Sequence, residues 1–487
     1  MSRQRTLHTL VLSFVILASL VNGSAPPSQA QTTDAPYQVF LPFVTKSSVF
    51  RAPWGIEVYG TMLSNDAMLQ TRAAALGATS MRLNNLSWQD VQPTESGDYN
   101  WAALASFEAD LRAAKRLGLQ PIVIVDEHPA WARLMSTHAC SAVRPDKLTA
   151  FANFMRALVT RYSTDEFNVH AWEIGNEPDV DPGLVPGDAV WGCWGDRTDY
   201  YYGGGNYGNM LRVVGPAIKA TDPGATIVFG GLLLASSNTP DDANPAFIGK
   251  PERFLEGALR AGAAPYFDVL AYHGHSVYAG GGRDYSGADG GWLEYGSGPA
   301  KGKPAFLRSV MRRYDVAKPL WFNEASLGCY DFVNRSECAV LPGDFLEAQA
   351  DHAVRMAVRT TSVGVENVTW YTLNGPSWRN GGLLDAQSMP RPSFVAYQQL
   401  IEQSRNSLAQ PSGIGYGSDV EAYRFDKETL LVDVVWGIAA GATEISVPAA
   451  KFIKVVDRDG LPVATTTAGG FVRLQVGFGN VYIHRLP

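Results

Sequence analysis

The sequence has few cysteines and no concentration of positive charge. Of its 487 residues, 4 are cysteine, 40 are lysine or arginine and 47 are aspartate or glutamate, which gives a formal net charge of −7. A protein that binds nucleic acid or an anionic membrane surface neutralises phosphates with clustered basic side chains, and the sequence has no such cluster. The composition therefore argues against both kinds of partner and favours an ordinary globular protein.

Long hydrophobic runs are also missing, except near the start of the chain. The run LVLSFVILASLV (Leu10–Val21) follows Arg3 and Arg5 and is short for a membrane span, which needs roughly 20 apolar residues. A positive start, a short apolar run and a small-x-small sequence (SQA) after it are features of a secretory signal peptide. We expect residues 1–30 to be a signal peptide, residues 31–50 a linker, and the mature protein to be secreted without stable membrane insertion. An uncleaved anchor is the alternative, because anchors and signal peptides overlap in length.

The four cysteines are Cys140, Cys193, Cys329 and Cys338. An even number in an exported protein indicates disulfides, and four cysteines allow three pairings. Cys329 and Cys338 are near neighbours and can close a loop, which leaves Cys140 and Cys193. Free thiols or a metal site are the weaker alternative, because the sequence has no C-x-x-C spacing.

Several catalytic and cofactor signatures are absent as well. The sequence has no G-x-S-x-G and no Walker motif. Gly203-x-Gly205-x-x-Gly208 matches a dinucleotide fingerprint, but no apolar strand precedes it, so a loop is the better interpretation. We therefore predict no organic cofactor.

What the sequence does contain is a regular alternation of short β-rich runs with helix-like segments. This alternation predicts a parallel sheet with covering helices, and eight units over residues 51–405 predict a (β/α)8 barrel. The eight runs are WGIEVYG (54–60), TSMRLN (79–84), LQPIVIV (119–125), HAWEIGN (170–176), ATIVFGG (225–231), YFDVLAYH (266–273), KPLWFNE (318–324) and NVTWYTL (367–373).

The pattern changes after about Asn406. Residues 406–487 contain short strand-like runs, among them VEAYRFD and TEISVPA, broken by turn signals such as Asp459-Gly460. The fold class that we predict is thus α/β, with a (β/α)8 barrel followed by a small all-β sandwich domain.

Two glutamates occur at the ends of predicted barrel strands. Glu177 lies in WEIGNEPD after the fourth run, and Glu324 lies in LWFNEASLG at the end of the seventh. Active sites of these barrels form at the C-terminal ends of the strands, so both carboxylates are expected on the catalytic face. Glycoside cleavage uses such a pair, about 5–5.5 Å apart when one attacks the sugar and about 6.5–9.5 Å apart when it activates water.

WEIGNEP and LWFNEASLG resemble the strand-four and strand-seven motifs of clan A glycoside hydrolases, most closely those of family 39, which includes β-xylosidases. The resemblance covers about residues 52–405. It implies a retaining glycosidase that cleaves β-glycosidic bonds in oligo- or polysaccharides, with Glu177 as general acid/base and Glu324 as nucleophile. A covalent glycosyl-enzyme would form and then be hydrolysed.

The resemblance also suggests which side chains contact the sugar. In that clan, the asparagine before the acid/base bonds the sugar 2-hydroxyl, a tryptophan on the eighth strand forms a platform, and a strand-six residue, usually tyrosine, touches the nucleophile. This sequence has His275 at or near the place of that tyrosine. The substrate-binding residues that we predict are Arg82, His128, Asn176, His273, His275 and Trp370.

Other polar and aromatic side chains have a structural interpretation or an open one. We expect Glu173 to line the barrel and pair with Arg82, because a buried carboxylate usually needs a partner. Some tryptophans in or beside the rim loops are equally consistent with sugar stacking and with ordinary packing. They are Trp131, Trp191, Trp194, Trp292 and Trp378.

Two other classes of function compete with the glycosidase. His273-x-His275, with His128 as a third ligand, would suit a metal-dependent barrel hydrolase. We favour no metal, because no aspartate ends the eighth strand. A non-catalytic carbohydrate-binding barrel is the other alternative, and the presence of both glutamates argues against it.

Overall fold

The computed structural model describes most of the chain from Trp54 onward, and the described residues belong to one compact unit. The predicted signal peptide and linker lie outside the described residues. Those residues are 54–58, 63–234, 246–280, 284–285, 292, 295–296, 298–331, 336–438 and 441–487.

Eight parallel strands close into a barrel in the order β1-β2-β3-β4-β5-β6-β7-β10. Each predicted run overlaps one of them, so the predicted (β/α)8 barrel is confirmed. The barrel strands are β1 (Trp54–Glu57), β2 (Ser80–Ser87), β3 (Gln120–Asp126), β4 (Ala171–Ile174), β5 (Thr226–Leu232), β6 (Val269–Val277), β7 (Leu320–Gly328) and β10 (Val365–Trp370).

The helices of the described chain connect these strands and cover the outside of the barrel. Strand β3 shows the result: every residue after Gln120 is buried, as expected for a parallel strand that is covered on both faces. The helices are α1 (Ala67–Leu76), α2 (Trp88–Val91), α3 (Ala105–Arg116), α4 (Leu148–Tyr162), α5 (Gly204–Thr221), α6 (Phe254–Arg260), α7 (Lys303–Arg312), α8 (Phe345–Ser362) and α9 (Pro392–Ser404).

Local sequence explains the helix boundaries, as α1 illustrates. The Asp66 side chain accepts a hydrogen bond from the Leu69 N–H and so caps the start of the helix. Gly77 ends it with a φ of 78°, a left-handed conformation that glycine adopts without steric cost.

The C-terminal part is a sandwich of two antiparallel sheets, which confirms the predicted fold of this region. The sheets have the strand orders β11-β12-β13-β18-β15 and β14-β17-β16, and a separate hairpin of β8 with β9 follows β7. The strands are β8 (Tyr330–Asp331), β9 (Ser336–Glu337), β11 (Ser412–Ile414), β12 (Val420–Lys427), β13 (Leu430–Gly437), β14 (Thr443–Pro448), β15 (Phe452–Asp457), β16 (Thr466–Ala468), β17 (Phe471–Val476) and β18 (Val481–Arg485).

The sandwich packs against the barrel through one face of β13. Val434 and Trp436 belong to the same buried cluster as the barrel residues, whereas Val435 belongs to the cluster inside the sandwich. This division follows the two-residue alternation of a strand. The domain boundary near Asn406 falls between α9 and β11 and stays a prediction.

The cysteines form two disulfides, Cys140–Cys193 and Cys329–Cys338, as the sequence suggested. Within the described part of the chain, none of the helices combines the length and the hydropathy that crossing a bilayer requires.

Candidate active site

Glu177 lies at the end of a sharply bent segment that follows β4. Gly175 has a φ of 78° and Glu177 has a φ of 48°, so the chain passes twice through the left-handed region. A glycine at the first of these positions removes the steric cost that a side chain would add. The segment ends with Oε1 of Glu177 at 2.9 Å from Nδ1 of His273.

Glu324 lies on β7, directly opposite His273 in the register of β6 and β7. Its Oε2 atom is 3.1 Å from Nε2 of His275, and its Oε1 atom contacts the guanidinium of Arg82. Nδ1 of His275 lies 2.8 Å from the Ser326 hydroxyl, which fixes the ring plane. His275 therefore contacts the carboxylate for which the resemblance leads us to expect a tyrosine partner.

The two glutamates lie close together. One carboxylate oxygen of Glu177, one of Glu324 and one ring nitrogen each of His273 and His275 all lie within 4.8 Å of one another. An oxygen pair this close is compatible with the carboxyl separation of about 5–5.5 Å at which one carboxylate attacks the sugar directly.

Arg82 occupies the centre of the barrel and joins both sides of the site. Its Nε and Nη2 atoms donate to Glu173 at 2.9 and 3.0 Å, which confirms the expected pairing. Nη1 donates to Glu57 at 2.7 Å and to Glu324, and Nη2 donates to Oδ1 of Asn176 at 2.8 Å. A planar guanidinium with five donors satisfies this arrangement, whereas an ammonium group does not.

The surroundings shift the pKa values of the two glutamates in opposite directions. Burial, and then the charge of Glu324, raise the pKa of Glu177 well above its ordinary value. Burial alone would raise the pKa of Glu324 too, but His273, Arg82 and His275 hold it below its usual range. Burial also lowers the pKa of His273, so that ring is neutral, and we attribute the low pKa of Glu324 to Arg82 and to the His275 hydrogen bond.

His128 does not join the other histidines. Its side chain is buried against the rings of Trp88, Phe151 and Trp194, and its Nδ1 lies 2.8 Å from the Ser141 carbonyl oxygen. Burial lowers its pKa to about 4. The structure thus assigns His128 a packing position, which corrects its prediction as a sugar contact and as a third metal ligand.

Trp370 also differs from expectation. It is 1 % exposed, and its indole Nε1 donates to the Gly381 carbonyl oxygen at 2.9 Å, so its ring cannot be a platform in an open cleft. The next residue, Tyr371, is only partly buried, and its ring centre lies 5.6 Å from that of His275. The ring centre of Trp378, which is 40 % exposed, lies 5.1 Å from that of the same histidine, so Tyr371 and Trp378 are two aromatic side chains that pack beside His275, the partner of Glu324.

The sequence reasoning also missed Glu57. It ends β1, is fully buried, and accepts from the Asn84 amide at 2.9 Å as well as from Arg82. The sequence offered only a weak signal, because the predicted run 54–60 places Glu57 in its middle, whereas the observed β1 ends at Glu57 and so brings this carboxylate to the catalytic face of the barrel.

Metal ligation is a further possibility for the central cluster. Glu177, His273, His275 and Glu324 form the group of described residues whose donor atoms are close enough to hold a metal ion. However, the Arg82 guanidinium already places a positive charge against Glu324, and this charge opposes a cation at that oxygen.

Known proteins resemble the chain both in sequence and in fold. The family model described as cellulase (glycosyl hydrolase family 5) matches residues 37–255. A family 39 glycoside hydrolase from Bacteroides cellulosilyticus WH2 superposes with a TM-score of 0.64 at 17 % identity, over 90 % of this chain and 81 % of that one. No curated protein matches the chain.

Two further solved structures share the fold at lower similarity. The catalytic domain of a family 30 xylanase C from Talaromyces cellulolyticus has a TM-score of 0.59 at 12 % identity, over 89 % of this chain and 96 % of that one. A glucosidase from Croceicoccus marinus has a TM-score of 0.57 at 13 % identity, with coverages of 90 % and 96 %. The comparisons confirm the predicted resemblance to clan A glycoside hydrolases, and the class that sequence, fold and paired carboxylates together define is that of a glycosidase.

Proposed function

We propose that the protein is a secreted retaining glycosidase that cleaves β-glycosidic bonds by double displacement, with Glu177 as acid/base and Glu324 as nucleophile. The observation that carries the proposal is the opposite pKa shift of two carboxyl groups whose oxygens lie within 4.8 Å. One group keeps its proton and the other stays ionised, which is the division of labour that the reaction needs.

In the first step, Glu324 attacks the anomeric carbon while Glu177 gives its proton to the leaving oxygen. The bond from the anomeric carbon to the leaving group breaks, and an ester bond to Glu324 forms. In the second step, Glu177, now a carboxylate, takes a proton from water as the water oxygen attacks the same carbon. The ester breaks, Glu324 is released as a carboxylate, and the anomeric configuration is retained.

Asn176 contacts the sugar ring in this scheme. Its Oδ1 atom accepts from Arg82, so its Nδ2 hydrogens remain for the 2-hydroxyl of the sugar. The same guanidinium contacts Glu324, so Arg82 sets the relative positions of a sugar donor and the nucleophile. Hydrogen bonds to the 2-hydroxyl strengthen in the transition state of such reactions.

The class of substrate and the secretion of the protein rest on the similar structures and on the sequence rather than on the geometry of the site. The names of similar structures include a xylanase and a glucosidase, which supports an oligo- or polysaccharide substrate. Secretion is supported by the two disulfides and by the signal-like residues 1–30. One structure with the same fold, at 13 % identity and a TM-score of 0.57, is described as a conserved exported protein from Bacteroides fragilis.

A rescue experiment tests the assignment. Wild type, Glu177→Ala and Glu324→Ala are assayed on a panel of activated aryl β-glycosides, with and without azide. We expect both variants to lose hydrolysis of the glycoside that wild type cleaves. Azide should then give the β-glycosyl azide with Glu177→Ala, because it attacks the glycosyl-enzyme, and the α-glycosyl azide with Glu324→Ala, because it attacks the substrate directly.

The exposed Glu428, in the turn between β12 and β13, provides the control. Glu428→Ala should match wild type. If Glu177→Ala and Glu324→Ala hydrolyse the glycoside at the wild-type rate, the two glutamates have a structural role and the proposed mechanism is wrong. A wild type that binds oligosaccharides but cleaves no glycosidic bond would instead indicate a non-catalytic barrel.

A further inference from the structure

The partner of Glu177 is itself held by a second set of buried charged groups. Nδ1 of His273 contacts the Glu177 carboxyl at 2.9 Å, and the backbone carbonyl oxygen of His273 accepts a hydrogen bond of 2.7 Å from Nζ of Lys303. Lys303 is the first residue of α7 and is only 8 % exposed. An ammonium group at this depth is stable only if hydrogen bonds replace its hydration.

Lys303 also reaches the end of β5. Its Nζ atom donates to the carbonyl oxygen of Leu233 at 2.7 Å, so one side chain joins the residue after β5 to the His273 backbone in β6. These two hydrogen bonds go to main-chain atoms and are independent of the leucine side chain. The Lys303 ammonium therefore fixes the separation of two chain segments beside the acid/base.

Asp179 binds the backbone N–H of Leu233, the residue whose carbonyl oxygen binds Lys303. Its Oδ1 accepts from the Leu233 N–H at 2.8 Å, and its Oδ2 accepts from the Leu234 N–H at 2.7 Å. Asp179 is buried and lies two residues after Glu177. The Leu233 backbone is thus held between a carboxylate and an ammonium, both of them buried.

These contacts form a closed circuit. It runs from Glu177 along the chain to Asp179, through Leu233 to Lys303, and through His273 back to the Glu177 carboxyl. We propose that Asp179 and Lys303 are positioning residues that hold His273 against Glu177 and so aim the acid/base at the leaving oxygen. The inference rests on the proposed role of Glu177 and assigns a task to the aspartate of WEIGNEPD.

The proposal predicts a selective loss. A misplaced Glu177 weakens proton transfer to the leaving group, whereas attack by Glu324 is unaffected. Proton transfer matters for a poor leaving group such as phenol and little for dinitrophenol, which departs as a stable anion. A defect confined to folding would lower the rate on both substrates by the same factor, because it changes only the fraction of active protein.

The test compares kcat/KM of Lys303→Met and Asp179→Asn on phenyl and dinitrophenyl β-glycosides of the sugar that wild type prefers. General acid catalysis contributes about 10²–10⁴-fold, so we expect a loss of about 10–100-fold on the phenyl glycoside and less than about 3-fold on the dinitrophenyl glycoside. The matched control is Lys301→Met. Lys301 lies two residues earlier and donates instead to the Tyr423 hydroxyl at 2.9 Å, so it should behave as wild type on both substrates.

Equal losses on the two substrates would overturn the proposal, as would wild-type rates on both. Asp179→Asn keeps the shape of the side chain, and it decides the question if Lys303→Met does not fold. Crystal structures of the variants give a readout that needs no activity. Nδ1 of His273 should move out of hydrogen-bonding distance of Glu177 in the variants, and an unchanged 2.9 Å contact would contradict the inference.

The two hypotheses can fail separately. A wild type that cleaves no aryl glycoside would reject the proposed function, and the variant structures would still decide whether Asp179 and Lys303 hold His273. Suppose instead that Glu177→Ala and Glu324→Ala give the expected azide products, but Lys303→Met and Asp179→Asn lose the same factor on both leaving groups. That result would reject only the positioning role.

Discussion

The barrel and the sandwich each contain an ionic centre built around a buried charge, and carboxylates are in excess in the first whereas guanidinium groups are in excess in the second. In the barrel, one guanidinium contacts several carboxylates: Arg82 binds Glu57, Glu173 and Glu324. The carboxylates outnumber the cation, although every side chain of this centre is buried.

The sandwich centre has the reverse arrangement. The buried carboxylate of Asp433 accepts from Arg424 at 2.6 and 2.8 Å and from the Tyr416 hydroxyl at 2.6 Å. A second guanidinium, that of Arg485, lies 3.7 Å away. Here one anion is surrounded by donors, and because Asp433, Arg424 and Arg485 all lie on strands of the sandwich, the centre fits a structural task.

The difference shows how the barrel obtains groups with altered proton affinity. Several buried carboxylates cannot all be ionised around one guanidinium, because each added negative charge raises the pKa of the others. Burial raises the pKa of Glu57 to about 8, against the opposing charge of Arg82. A surplus of carboxylates is thus consistent with a site that must keep one acid protonated beside an ionised nucleophile.

The largest effect is expected from removing the barrel cation. Arg82→Met leaves three buried carboxylates without their partner, so we expect the free energy of unfolding to fall by about 3–5 kcal/mol. It also removes a donor from Glu324, so kcat/KM should fall by at least about 10²–10³-fold. Denaturant titration and steady-state kinetics measure the two losses, and near-normal activity in the folded variant would contradict the role of Arg82.

The corresponding change in the sandwich should affect stability alone. Arg424→Met removes two hydrogen bonds from the buried Asp433, and we expect a loss of about 2–4 kcal/mol in the free energy of unfolding. At a temperature where the variant is fully folded, kcat/KM should stay within about 2-fold of wild type, since Arg424 belongs to the sandwich and, among the described residues, shares no partner with the cluster around Glu177 and Glu324. A large kinetic defect in folded Arg424→Met would mean that the two centres are coupled.

The third prediction concerns pH. Because the pKa of Glu57 is raised from 4.5 to about 8, the folded protein binds more protons than the unfolded chain between those values. The contribution of Glu57 is fully present below pH 4.5 and is lost as pH rises through about 8, so stability should fall across this window.

Glu57→Gln, which keeps the size of the side chain but cannot ionise, should remove part of that decline, on the order of 1–3 kcal/mol. The measurement is the free energy of unfolding from pH 5 to pH 8. Glu428→Gln at the exposed turn should leave the slope unchanged. A slope in Glu57→Gln as steep as that of wild type would show that another group is responsible.

The smallest effect is expected at His275. His275→Phe removes one hydrogen bond to Glu324 while Arg82 still holds the same carboxylate, so we expect kcat/KM to fall by about 10-fold. His170→Phe is the matched control, because His170 pairs with Asp222 on the surface. A loss as large as that of Arg82→Met would indicate that His275 takes part in the chemistry.

The sequence predicted the strands well but not where each of them ends. The run 266–273 was expected to be the sixth strand, and the observed strand is Val269–Val277. The extra residues remain in the sheet because they pair with β7, for example His275 with Ser326 and Val277 with Gly328. Pairing between strands that are distant in sequence cannot be seen in the composition of either one.

The site shows the same limit for individual side chains. A strand end with Trp370 and Tyr371 in succession presents one ring to each face of the sheet, and composition does not tell which ring faces the cleft. His128 likewise follows a predicted strand, yet its side chain lies among aromatic rings of other elements.

The sequence by itself determined the number of barrel units and the assignment of Glu177 and Glu324 to the fourth and seventh of them, because both follow from local periodicity and spacing. The tertiary structure alone supplied the surroundings that shift the pKa values of the two glutamates in opposite directions, and it alone decided which histidine contacts which glutamate. Arg82 is 91 residues from Glu173 and 242 residues from Glu324 along the chain. A pKa depends on burial and on charges within a few ångströms, and only the closed barrel brings these groups that close.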